Sequence, residues 1–296
     1  MRDRQAMEKV ADALKMHVYT LADQIGERNL MLPEALHAAE RYIAGQWEAQ
    51  GYPVNRLAYT VKGIECANLE AERHGTRYPL DIVLIGAHYD TVFGSPGADD
   101  NASGVAALLE LSRLFMSSEP EKTVRFVAFV NEEAPFFAGR HMGSLIYAKA
   151  AKERGDRIRF MVSLEMLGCY YDTPNSQRYP VLLKYVYPDR ANFIAFVSNR
   201  HSRSSLLRLV RAFRRNSEFP IEHLAAPFFV PGVALSDHFS FWRQGYSAIM
   251  VTDTAFYRNP WYHTAGDRPD RLHYESFAAV VRGLYLALLD CANGAS

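Results

Sequence analysis

Five short stretches of this 296-residue chain carry side chains that could bind a cation or move a proton. "DIVLIGA" (81–87) runs into His88, Tyr89 and Asp90, "TVRFVAFV" (123–130) into Asn131, Glu132 and Glu133, and "RFMVSL" (159–164) into Glu165. "PGADDNASG" (96–104) sets Asp99, Asp100 and Asn101 between glycines, and "WYHTAGD" (261–267) adds Tyr262 and His263. Each has an ordinary explanation when taken singly. Asp and Asn cap helices by accepting bonds from the first N–H groups, and Gly97 and Gly104 serve as turn residues. A histidine at a strand end is commonly structural, and a Glu pair can sit in a solvated turn. Jointly those explanations are strained, because adjacent like charges at the mouth of a core strand repel and lose hydration unless a cation or proton compensates them. A set of imidazoles and carboxylates without cysteine suits Zn2+ first, with Mn2+ and Co2+ also compatible.

Those residues need strands to carry them. The runs 81–87, 123–130, 159–164 and 247–252 are continuously apolar and read as strands buried on both faces. Helical stretches at 102–118, 141–154, 201–216 and 274–290 separate them. The expected fold class is therefore α/β, with a central, mostly parallel mixed sheet flanked by helices. Ligand sites of open α/β sheets lie outside the carboxyl ends of the strands, so three strands would deliver a histidine and several carboxylates to one rim. Upstream, 3–25 and 33–50 read as helices, and 56–61 and 64–72 as paired strands turning at Lys62–Gly63. The region 170–235 is less regular and reads as part core, part elaborated loops over the rim. No repeat or linker divides the chain, so a single domain over 1–296 is expected, with N-terminal helices in 1–50.

Composition narrows the function classes. Lys plus Arg and Asp plus Glu number 33 each, which removes the electrostatic argument for nucleic acid or an anionic membrane as the main partner. No apolar run approaches a membrane span, and the charged start lacks the apolar core of a signal peptide. Cys66, Cys169 and Cys291 are odd in number and widely spaced, which predicts free thiols and a cytoplasmic location.

In order and spacing, "HYDTV", "PGADDNASG", "VNEE", "SLEMLG" and "YHTAGD" resemble the motifs of the co-catalytic zinc aminopeptidases, peptidase family M28, over about residues 81–290. The resemblance implies a phosphorylase/hydrolase-like fold and two Zn2+ ions per chain. It assigns His88 and Glu165 to one metal, Glu133 and His263 to the other, and Asp100 to the bridge between them. Many members have Asp where this chain has Glu165. Asp90 corresponds to the carboxylate that orients a metal-bound imidazole, Glu132 to the general base, and Tyr262 to a tyrosine that steadies the oxyanion. The family also carries a cis peptide after the bridging aspartate. The implied activity is metal-dependent exopeptidase hydrolysis of the N-terminal bond of small peptides, through a metal-bound hydroxide and Glu132. A glutaminyl-cyclase-like acyltransferase with one zinc is the alternative, and a non-catalytic binding protein on the same fold a lower one.

The remaining candidates are weaker. Ser236-Asp237-His238 looks like a triad fragment, but no G-x-S-x-G elbow accompanies it, so Asp237 and His238 are expected to be structural or substrate-side. Asp253 is expected to support the site or the loop containing Tyr257. Phe228, Phe229, Phe256, Tyr257 and Trp261 either line a substrate pocket or form core under a loop. Asp99 is expected to be an expendable loop residue, unlike its neighbour Asp100.

Overall fold

The apolar runs do form strands, and the computed structural model describes residues 2–180 and 183–294. Among the described residues eight strands make one sheet: β1 (Asn55–Val61), β2 (Ile64–Arg73), β3 (Tyr78–His88), β4 (Lys122–Phe129), β5 (Arg157–Glu165), β6 (Ile194–Ser198), β7 (Ile221–Ala225) and β8 (Ala248–Thr252). Their order is β1-β2-β4-β3-β5-β8-β6-β7. The central strands β4, β3, β5 and β8 are mutually parallel, whereas β1, β2 and the β6–β8 pairing are antiparallel. The sheet is thus mixed and mostly parallel at its centre, as the sequence predicts.

Side-chain alternation along β3 builds two cores. Val83, Ile85 and Ala87 pack with α1 (Arg2–Tyr19), α2 (Pro33–Gln50), α3 (Gly104–Phe115), α5 (Arg203–Asn216) and α7 (Tyr274–Asn293). Ile82 and Leu84 face the other way, toward Tyr147, Ala148 and Ala151 of α4 (Gly143–Arg154) and Phe241 of α6 (His238–Arg243). With helices on both faces the central strands lose their polar alternation, which is why they read as unbroken apolar runs. Cys66, Cys169 and Cys291 are buried free thiols. Among the described residues, no helix is long and apolar enough to cross a membrane.

The region 170–235, whose residues 181 and 182 lie outside the described part, is more regular than its sequence suggests. It contributes β6, α5 and β7, and the two strands extend the sheet beyond β8. Both strands are only five residues long, and β7 is half-buried along most of its length, so neither gives a strong periodic signal.

The N-terminal segment also has a task that its sequence does not reveal. Arg28, fully buried after α1, donates through Nη1 and Nη2 to the main-chain oxygens of Leu21, Gly26, Pro96 and Gly97, and through Nε to Tyr89. It therefore ties the loop entering "ADDNAS" to the end of β3. Arg28→Ala would leave several buried carbonyls without donors. We expect it to lower unfolding free energy by about 3 kcal/mol, read by urea denaturation. A change within about 0.5 kcal/mol, the range of neutral surface substitutions, would contradict this clamp.

Candidate metal centre

Three parallel strands end at the same edge. β3 stops at His88, the chain leaving β4 turns through Asn131 into Glu132 and Glu133, and β5 stops at Glu165. Backbone geometry turns sharply beside these groups. Asn131 (φ 59°), Met166 (φ 51°) and His263 (φ 58°) adopt left-handed conformations, which cost non-glycine residues about 1–2 kcal/mol each. The surrounding structure must hold them there.

The fourth contribution, from residues 98–103, is held on every side. Gly97 has φ +59°, and a side chain there would strike the Asp100 carbonyl and Thr91. At Asp100 and Asn101 the backbone leaves helical geometry, and the peptide between them is cis. Asn101 accepts from Gly104 N (3.1 Å) and Met166 N (3.0 Å) and donates to Leu164 O (2.9 Å). The cap reading is therefore right for Asn101, which also joins α3 to the exit of β5. Asp267 reaches across from the loop after His263 and accepts from Asp99 N (2.9 Å) and Asp100 N (3.0 Å).

These supports bring the side chains into two triads. His88 Nε2 lies 3.4 Å from Asp100 Oδ1 and 3.4 Å from Glu165 Oε2. His263 Nε2 lies 3.1 Å from Asp100 Oδ2 and 3.4 Å from Glu133 Oε2. Each triad has its donor atoms within 4.8 Å of one another, and Asp100 offers one oxygen to each. Ser236 Oγ donates to Glu165 Oε2 (2.6 Å), fixing the carboxylate. Glu132 belongs to neither triad, with Oε2 3.9 Å from His88 Nε2. Asp90 accepts from Glu132 N (3.1 Å) and Glu133 N (3.2 Å), while His88 Nδ1 faces the Asp90 main-chain oxygen at 3.2 Å and its carboxylate at 3.6 Å. Tyr262 stacks on His263, with ring centroids 3.8 Å apart.

The electrostatics show what such a cluster demands. Burial pushes the Glu132 carboxyl well above the usual range, and it pushes Glu133 up to about 7, with Asp100 adding to the effect. Burial also raises Glu165, against the pull of His88. Burial alone would lower both imidazoles. Glu165 and Glu132 instead carry His88 well above its ordinary value, and bonds to Asp100 and Glu133 take His263 up to about 10. Asp100 is the exception among the carboxyls, since the two imidazoles hold it low despite burial. Positive charge placed among these carboxylates would relieve their mutual repulsion, as a divalent cation would do. His88 Nε2 makes no hydrogen bond although it is buried. An orphaned imidazole nitrogen facing two carboxylates fits a metal ligand set of N and O donors.

A third cluster lies beside the first two, and it corrects an expectation. Asp99 is buried, not an expendable loop residue. Its carboxylate accepts from Gly168 N (2.9 Å) and Asn259 Nδ2 (2.8 Å), linking the loops after β5 and β8. Asp253 accepts from Cys169 N (2.9 Å) and Ala255 N (2.9 Å), so it supports the loop containing Tyr257 as expected. Burial raises Asp99 strongly and Asp253 to about 6, and each raises or bonds the other, as expected of two carboxyls sharing a proton. Burial likewise pushes up the neighbouring Cys169 thiol. The two carboxylates brace loops.

Of the aromatic group, Phe256 and Tyr257 border a cavity beside Glu165, where Tyr262 joins them. Phe228 and Phe229 instead stand exposed, edge to face with each other, and Trp261 covers Gly266 under Arg271. Asp237 and His238 are completely buried, in keeping with a structural role. Sequence reasoning missed Arg28 and Asp267, and it named Ser236 only within a triad fragment, not as the partner of Glu165. Only Asp267, closing the "YHTAGD" motif, carried a local signal.

The model of peptidase family M28 matches residues 68–287. The uncharacterized protein YfbL of Escherichia coli (strain K12) is 37% identical over 286 residues, which cover 94% of this chain and 87% of that protein. A probable aminopeptidase of Saccharomyces cerevisiae is 27% identical over 72% of this chain, which spans 55% of that relative's length. A zinc aminopeptidase of Bacillus subtilis has the same fold, with a TM-score of 0.75, 15% identity and 95% of each chain covered.

Asp99→Ala removes the acceptor for two buried donors, so we expect a loss of at least about 2 kcal/mol in denaturant unfolding. Stability within about 0.5 kcal/mol of the parent would return Asp99 to the status of a dispensable loop residue.

Proposed function

This chain belongs to peptidase family M28, and on that premise we propose that it is a zinc-dependent aminopeptidase acting on the N-terminal bond of small peptides. The observation that carries the reading is the pair of triads joined at Asp100, whose carboxylates and His88 are buried while His263 stands open to solvent. In this reading His88, Asp100 and Glu165 would hold one Zn2+ ion and Asp100, Glu133 and His263 a second, with Mn2+ or Co2+ as substitutes. When bound, the ions supply Lewis acidity toward the scissile carbonyl and the attacking water.

The chain's own groups do the rest. Glu132 is buried beside the triads without belonging to either, and Asp90 fixes its main-chain N–H. A carboxyl whose pKa is raised by burial is suited to take the water's proton and return it to the leaving amine. Asp90 thus acts as a positioning residue for Glu132 and Glu133 as much as for His88. Burial also raises the Tyr262 hydroxyl, so it stays protonated and available to donate to a developing oxyanion. The excess of carboxylates favours a substrate's free ammonium group near the triads. We take the whole chain as one catalytic unit, and its three buried thiols accord with a reducing, cytoplasmic setting.

Glu132→Gln should retain the metal content of the parent while kcat/KM on a dipeptide falls by at least about 10²-fold. Unchanged hydrolysis by this variant would contradict the assignment of the base. Chelation should abolish activity, and Zn2+, Mn2+ or Co2+ should restore it. Peptides with a blocked N-terminus should resist cleavage. Equal cleavage of blocked and free peptides would overturn the aminopeptidase reading, and release of ammonia from an N-terminal Gln peptide without hydrolysis would favour the cyclase.

A further inference from the structure

One register row of the sheet leads away from the proposed metal centre. Glu165 of β5 pairs with Thr252 of β8, Thr252 with Ala195 of β6, and Ala195 with Glu222 of β7. Paired residues on adjacent strands present their side chains on the same face, and all four border the cavity that opens beside Tyr262. The next row on this face is Met250, Val197 and Leu224, and these also line the cavity. Its floor is therefore the β8-β6-β7 sheet surface, an apolar trough with a small residue, Ala195, at its middle. Three strand steps of about 4.8 Å separate the backbones of Glu165 and Glu222 by roughly 14 Å. The cavity holds about 830 Å3 of empty space, part of it open to solvent.

The two ends differ in what holds their carboxylates. Glu165 is engaged by Ser236 and His88. Glu222 is half-buried, forms no ion pair among the described residues, and has its carboxyl raised by burial, with Arg214 opposing the shift through space. No Lys or Arg borders the cavity among the described residues, so Glu222 meets no cation there.

We propose that this trough receives the side chain of the substrate's N-terminal residue, and that Glu222 at its far end selects a long side chain with an apolar stem and a cationic tip, namely Lys or Arg. The inference rests on the aminopeptidase reading of the adjoining triads. A stem lying over Met250, Val197 and Ala195 buries its methylenes while the charge stays at the tip. The span is too long for a short side chain to cross, but Lys or Arg from one end and Glu222 from the other can meet within it. An acidic side chain would meet a like charge and no donor cation.

The test uses the metal-loaded enzyme with amides of Arg, Lys, Leu, Ala and Glu bearing free N-termini. The parent should cleave Arg and Lys amides at least about 10²-fold faster in kcat/KM than the Glu amide. Glu222→Gln should lower the Arg-to-Leu ratio of kcat/KM by about 10-fold, the discrimination given by one partly exposed charge-assisted bond. Independently, Ala195→Leu should narrow the trough and lower the Arg-to-Ala ratio by a similar factor. A parent that cleaves Leu and Ala amides but shows no basic preference, or variants whose ratios stay unchanged, would overturn this inference alone. A parent that cleaves none of the amides would overturn the aminopeptidase reading beneath it.

Discussion

Burying several carboxylates around two imidazoles is costly, because each anion gives up hydration worth several kcal/mol unless a counter-charge replaces it. Asp100, Glu132, Glu133 and Glu165 are all at least nine-tenths shielded from solvent, and among the described residues His88 and His263 are the basic side chains within 4 Å of them. A core without a task would place apolar side chains here. The surrounding supports share one feature: each removes freedom from the carboxylates rather than neutralising them. Asp267 and Asn101 pin the backbone around Asp100, Asp90 pins the Glu132–Glu133 pair, and Ser236 holds Glu165. Repulsion is held in a fixed geometry, and that geometry suits cations.

The sheet order explains how distant segments meet so closely. β3 lies between β4 and β5, so three consecutive parallel strands point their carboxyl ends at one rim. Loops from α1, from the β3–α3 connection and from the stretch before α7 then converge over that rim through Arg28, Asp99 and Asp267. Stability and function are coupled here: the same hydrogen bonds that close the loops also aim the triads. Local rules are broken where they meet, at the left-handed Asn131, Met166 and His263, as expected where function overrides local preference.

The sequence was most legible where burial leaves a periodic or compositional trace. The four central strands, the helices between them and the motif residues at their ends all read from apolar runs followed by charge. His88, Asp100, Glu133, Glu165 and His263, named from their motifs, come together in the two triads. What stayed hidden depends on partners far apart in the chain. β6 and β7 are short and become strands through pairing with β8 and each other. Arg28 looks like any surface arginine until its carbonyl partners from residues 21 to 97 are assembled. Asp99 and Asp100 are indistinguishable by type, and the opposite fates of their carboxylates follow from which loop each one faces. The trough ending at Glu222 exists only in the register of four strands.

The central claim is that Asp100 is shared by two metal ions, and the most direct measurement is metal stoichiometry by native mass spectrometry. The parent protein and Asp100→Asn would each be loaded with Zn2+ and freed of excess. The account predicts two ions per chain in the parent and weakened retention of both in the variant, since one carboxylate serves both triads. A parent that takes up a single ion, or a folded Asp100→Asn that keeps two as tightly, would contradict it.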